Sequence, residues 1–247
     1  MGQLKIRESD GWLARTPRRA FTLVDVLVSM AVVAVLIGLL LPSLSSVGET
    51  AKRVVCQSNL RQIGLTLAMY ADTNGDRIPP SVFAPPPGSR VKQQFEQMVT
   101  LRLDASRAPG DSGWDGLGVL YQRDFVSAPK LFYCPSHKGN HPYRRYADQF
   151  GIANTSELIG NYHYRGLGPN ESIELHGIKP ESAAIVADGM RTRSDYNHGN
   201  GFNVLRASLA VEWVKDTGGR ISSILPAETG VGGSSTVTEQ VWRMLDE

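Results

Sequence analysis

Cysteine is nearly absent from this chain of 247 residues: Cys56 and Cys134 are the only two. They form no C-x-x-C pair, so a zinc site is not expected and no metal ligand is assigned. Catalytic signatures are absent too. There is no G-x-S-x-G, no Walker loop and no G-x-G-x-x-G in a strand-to-helix context. Nor is there an H-E-x-x-H, or an H-x-x-x-H on a helix, among His137, His141, His163, His176 and His198. No enzyme is expected, and no catalytic residue or cofactor. A surplus of charge is also lacking. Five of the 26 basic groups (Lys5, Arg7, Arg15, Arg18, Arg19) lie in residues 1–20, with two of the 24 acids (Glu8, Asp10). Asp25 is the one charge in residues 21–42, which leaves 21 groups of each sign for residues 43–247. A neutral body lacks the Lys and Arg excess that phosphate binding needs, so nucleic acid is not an expected partner.

One long apolar run is present, and no second. FTLVDVLVSMAVVAVLIGLLL, from Phe21 to Leu41, is interrupted only by Thr22, Asp25, Ser29 and Gly38. As a helix it spans about 30 Å, the hydrocarbon thickness of a bilayer. The basic residues before it hold the N-terminus on the cytoplasmic side. The competing reading is a cleaved signal peptide, since Ser43, Ser45, Ser46 and Gly48 follow. The apolar core of such a peptide is shorter, about 7–15 residues. Asp25 bears on the choice. A carboxylate inside an apolar helix costs about 2.5–3.5 kcal/mol at mid-bilayer and less near the interface. A partner on another molecule offsets that cost, and an amine freed by a cut before Phe21 has the right charge. The plainer alternative is a carboxylate that snorkels to water.

RRAFTLVDVLV resembles the N-terminal signal of type IV pilins and type II secretion pseudopilins. There a basic leader is followed by Gly, then FTLIE and a long apolar stretch. Ala20 takes the Gly position, Phe21 becomes the first mature residue, and Asp25 takes the Glu position. Pro42 falls where many pilins carry a helix-bending proline. The resemblance implies that a prepilin peptidase cuts between Ala20 and Phe21 and methylates the new N-terminus. It also implies that Asp25 pairs with the amine of a neighbouring subunit. The expected partners are that peptidase, other pilin or pseudopilin subunits, and membrane lipid. The expected location is the inner membrane, single-pass, with the C-terminal domain in the periplasm or cell envelope.

Cys56 to Pro80 (CQSNLRQIGLTLAMYADTNGDRIPP) is similar to the stretch after the anchor in a large bacterial family of prepilin-type proteins. Those proteins often carry a Cys-Pro, here Cys134-Pro135. They tend to have His-Gly-Gly-Gly-x-Asn-Val-Leu-x-x-Asp-Gly near the end. HGNGFNVLRASL, from His198 to Leu209, matches the first half, and Ser208 and Leu209 stand at the Asp-Gly pair.

The expected fold is α+β: a long N-terminal helix packed on a small antiparallel sheet. The segments are a leader (1–20), a transmembrane helix (21–42), its amphipathic continuation (43–78), a Pro-rich connector (79–90), a globular α+β domain (91–216) and a Gly/Ser-rich tail (217–247). The continuation carries Leu44, Val47, Ala51, Val54, Val55, Leu60, Ile63, Leu67 and Met69 at steps of three and four. Pro42 removes a backbone donor and predicts a kink. Residues 91–104 read as a short helix. Strands are predicted at Leu131–Tyr133, Asn161–Tyr164, Ala183–Ala187, Asn203–Arg206 and Leu209–Val214, the last two as a hairpin. Thr238–Leu245 reads as a terminal helix turn.

In an oxidising compartment Cys56 and Cys134 tend to pair; the alternative is two free, buried thiols. Asp72, Asn74 and Asp76 resemble the opening of a calcium loop. The position of its bidentate acid holds Phe83, so a helix-ending turn is favoured. His163 and His198 approach Asp188 if their strands are neighbours. The leading expectation is a structural subunit of a secretion pseudopilus or type IV filament. The alternative is a singly anchored envelope module that binds a ligand and forms no filament.

Overall fold

The computed structural model describes residues 21–84, 94, 97–104, 106, 113–152, 156–227 and 235–247. Helix α1 runs from Leu23 to Thr73, 51 residues, and its helical assignment continues past Pro42 without a break. Thr22 and Asp25 form a capping box at its start. The Thr22 N–H and Oγ1 donate to Asp25 Oδ2 at 3.0 and 2.7 Å, and the Asp25 N–H donates to Thr22 Oγ1 at 3.2 Å. At its end, Gly75 and Asp76 take left-handed φ values of 65° and 66°. The Asp76 N–H closes the last turn on the Ala71 carbonyl at 2.8 Å. The Asp72–Asp76 stretch is therefore the helix terminus, and residues 74–78 lie beyond the helix rather than in it.

The chain divides into two units, Met1–Ser46 and Val47–Glu247. In the first, Leu23–Leu41 has a mean hydropathy of 2.8 and no buried residue. It is long and apolar enough to cross a membrane. In the second, α1 buries Cys56, Leu60, Ile63, Leu67, Tyr70 and Ala71. Steps of four and three residues put these on one stripe. Val47, Ala51, Val54, Val55 and Met69 are exposed, a correction to the expected stripe, because they lie away from that line, and the side chain of Leu44 lies outside the described residues. At Gly64 the helix lies so close to the sheet that an added Cβ would meet Leu205 Cδ1 at 2.9 Å.

The described body is mixed α+β. Short strand β1 (Thr100–Arg102) pairs antiparallel with β2 (Leu158–Ile159). Helix α2 (Gly118–Gln122) lies between them in sequence. The main sheet is antiparallel in the order β3 (Tyr162–Tyr164), β4 (Ala184–Asp188), β5 (Gly201–Arg206) and β6 (Val211–Lys215). Strands β5 and β6 form the expected hairpin. Alternation along β5 sorts its faces. Leu205 packs in a cluster with the buried stripe of α1, whereas Phe202 and Val204 pack with Trp242.

Three local expectations are corrected. The described residues of 91–104 include a strand, and 99–103 are all buried, Arg102 among them. Arg102 Nε and Nη1 donate to the carbonyls of Ser156 and Ile152, so tertiary pairing overrides a short amphipathic pattern. Pro129–Phe132 is a 3₁₀ turn in place of a strand, because proline starts a helical turn and cannot donate to a ladder. The C-terminal segment is no tail throughout. Helix α3 (Arg220–Ile224) and helix α4 (Ser235–Asp246) bury Ile221, Val241, Trp242 and Leu245. Asp246 accepts from Arg165 Nη1 at 2.8 Å and from the Ala184 N–H at 2.8 Å, which fixes α4 to β4. Residues 228–234 lie outside the described residues.

Candidate functional site

A polar cluster lies where the second half of α1 meets the main sheet. The antiparallel ladder ends β4 at Asp188, and β5 brings Asn203 beside it. The Asn203 N–H and Nδ2 donate to Asp188 Oδ2 at 2.6 and 3.1 Å. The turn before β5 carries His198. Its Nε2 lies 3.5 Å from Asp188 Oδ2, 3.4 Å from Asn203 Nδ2 and 3.6 Å from Cys134 Sγ. Its Nδ1 meets Glu49 Oε1 at 2.9 Å, and Ser136 Oγ donates to the same oxygen at 2.7 Å. Cys134 is joined to Cys56 of α1 as a disulfide, with 5.5 Å between the Cα atoms and a sequence separation of 78.

Charge in this cluster is set by burial. Asp188 is fully enclosed, which raises its carboxyl to about 6; His198 and the Asn203 donors pull the other way. Burial also pushes Glu49 up, but the hydrogen bonds of Ser136 and His198 outweigh it and hold Glu49 below the usual range. The His198 ring meets Trp213 edge-on at 5.7 Å, and Arg53 covers the same indole at 4.5 Å. Cys134, His198 and Glu49 thus stand in the order of nucleophile, base and orienting acid. With Cys134 bonded to Cys56, no thiolate is there to act.

Of the two histidines expected near Asp188, His198 reaches it. His163 pairs across the sheet with Ala187, and its Nδ1 accepts the Met190 N–H at 3.0 Å. His137 and His141 sit in the loop after Cys134, where His137 Nδ1 meets Asn197 Oδ1 at 2.9 Å and His141 Nδ1 meets the Tyr146 hydroxyl at 2.6 Å. His176 pairs with Asp76 at the surface. Glu49, Ser136 and Asn203 are the cluster residues that sequence reasoning missed. For Glu49 a signal existed: it lies seven residues before Cys56, two turns back on the same helix face.

At the processing site, Ala20 lies outside the described residues, and Phe21 is exposed. Asp25 is satisfied by Thr22 of its own chain. A groove of about 500 Å³ opens beside the disulfide, lined by Val55, Asn59, Tyr133, Pro142, Tyr143 and Arg144 among others. No protein-family model matches the chain, and no curated protein and no solved structure is significantly similar to it.

Proposed function

We propose that this chain is a pilin-like subunit, a pseudopilin or minor pilin of a type II secretion or type IV filament system, processed by a prepilin peptidase. The observation that carries the reading is the change of character along α1. Its first part is predominantly apolar and exposed with a carboxylate near its head, and its second part is built into a folded body. A helix of that kind anchors a domain to a membrane and leaves an apolar rod for like subunits to pack on. The role is structural rather than catalytic.

Mass spectrometry of the mature protein tests this. The expected N-terminus is a methylated Phe21. Ala20→Gly is expected to keep or speed the cut, and a bulky residue there to block it. A terminus near Ser46 or Gly48 would mean an ordinary signal peptide and would end the proposal. The second reading, a singly anchored binding module, draws on the local satisfaction of Asp25 and on the groove beside Tyr133. It predicts a chain that keeps its N-terminal segment and crosslinks to no like subunit.

A further inference from the structure

Cys56, Cys134, Asp188 and His198 are all buried, and each offers one ligand atom; the four atoms lie within 4.8 Å of one another. We propose that this cluster is a thiol-dependent metal site, closed by the disulfide and opened by reduction to one thiophilic divalent cation of the zinc class.

Two edges of the cluster match a tetrahedral site. A tetrahedral ion with sulfur at about 2.3 Å and nitrogen or oxygen at about 2.0–2.1 Å needs a sulfur–nitrogen edge of about 3.6 Å and a nitrogen–oxygen edge of about 3.4 Å. Cys134 Sγ lies 3.6 Å from His198 Nε2, and His198 Nε2 lies 3.5 Å from Asp188 Oδ2. Reduction frees the edge between the two sulfurs, which the disulfide holds closed.

Surrounding groups hold the ligands as metal sites require. A ligating imidazole usually donates its far N–H to a carboxylate, which fixes its tautomer and direction. Glu49 does this for His198, and Ser136 steadies Glu49. Asn203 orients the Asp188 carboxylate through Oδ2. Among the described residues Asp188 Oδ1 is buried with no hydrogen-bond partner, which leaves this carboxylate coordinating capacity. Two thiolates and an imidazole select a soft cation over magnesium or calcium.

The chemistry balances. A dithiol reductant gives two electrons and two protons to Cys56 and Cys134; the S–S bond breaks and the reductant becomes a disulfide. Binding the cation then releases both thiol protons and leaves two thiolates on the ion.

Cobalt(II) is the probe, added to the untagged full chain in detergent. One sample is oxidised. The other is reduced by a phosphine, which leaves as its oxide with oxygen from water. The reduced chain is expected to bind one equivalent, with thiolate-to-cobalt charge-transfer absorption that zinc abolishes. The oxidised chain is expected to show none. His198→Ala and Asp188→Asn should each weaken binding at least tenfold. Glu49→Gln, which leaves all four ligands in place, should weaken it roughly 10- to 100-fold. A reduced chain that unfolds alone and refolds with cobalt supports the site. A reduced chain that takes up no cobalt, folded or not, overturns it. Equal uptake by the oxidised chain, or unchanged affinity in Asp188→Asn and His198→Ala, also overturns it. None of these outcomes depends on cleavage at Phe21 or on filament assembly.

Discussion

Residues 23–41 and residues 49–73 belong to one helix, yet their apolar residues are laid out differently. In the first stretch every position is exposed and the mean hydropathy is 2.8. There is no polar face, the pattern of a helix long and apolar enough to cross a membrane. In the second, apolar residues recur at three and four, and the positions between them carry Glu49, Arg53 and Asn59 to partners on other elements. Helicity is common to both. What differs is the period of the apolar residues, and that period separates the exposed apolar half from the half packed in the folded body.

The sharpest way to break this contrast is to cut equal side chains from both halves. Leu60 is fully buried, so Leu60→Ala should lower the stability of the body by about 2–5 kcal/mol. Leu36 is exposed, and Leu36→Ala should leave it unchanged. Urea unfolding of the detergent-solubilised chain, followed by fluorescence of Trp114, Trp213 and Trp242, measures both. Equal losses would erase the distinction.

That distinction was legible in the sequence, because composition and period are properties of a single segment. So were the antiparallel hairpin and the turn after Thr73, where Gly75 and Asp76 supply the left-handed residues. Strand β1 and the depth of α4 were not. Both owe their state to distant partners: Arg102 to the carbonyls of Ile152 and Ser156, Trp242 to the far face of the main sheet. The polar cluster was half legible. The approach of His198 to Asp188 followed from adjacent strands. Its metal-like geometry did not, because its four ligand atoms come from four separate parts of the chain and no local spacing announces them.

Acid should act on the body and spare the apolar stretch, since every histidine lies beyond residue 47. Burial lowers His141 to about 4 and His163 to about 3, with Asp195 opposing and Arg191 adding to the shift in both. Groups held neutral this way contribute stability that is complete above about pH 6.5 and is lost on acidification, at about 1.4 kcal/mol per pH unit for each. Asp188, raised to about 6, works in the opposite sense as it takes up its proton. Burial lowers His137 and raises Asp115 as well, so three histidines stand against two carboxylates and leave a net loss between about pH 6 and 4. The urea midpoint at pH 7 and at pH 5 tests it, and a midpoint that does not fall refutes it.

A smaller effect is expected at Glu49, where the helix first reaches a partner in the body. Its side chain is 38% exposed, so solvent screens its pairing with His198. Glu49→Gln keeps the acceptor for Ser136 and removes the charge. The loss should be about 1 kcal/mol in the same urea assay. A loss as large as that of Leu60→Ala would mean that the body depends on this carboxylate as on its core.

The smallest effect on stability, and the most telling for function, belongs to Asp25. Its side chain bonds to Thr22, and its carbonyl accepts from Ser29 Oγ at 2.5 Å. All three residues lie in the first unit, so no Asp25 variant should move the urea midpoint of the body by more than about 0.5 kcal/mol. Assembly separates the two jobs this residue can do. As a cap, Asp25 needs only an acceptor for Thr22, and asparagine supplies one. As a partner for a neighbour's amine it needs charge, and asparagine has none. Under the pilin-like reading, Asp25→Ala and Asp25→Asn both insert and are both cut, and both fail to crosslink to like subunits or enter a filament. Asp25→Glu assembles, because it restores the carboxylate with one methylene more reach. If Asp25→Asn assembles as well as the parent while Asp25→Ala does not, the residue is a helix cap. If Asp25→Ala also assembles, the apolar half of α1 is an anchor alone, and the binding-module reading takes precedence.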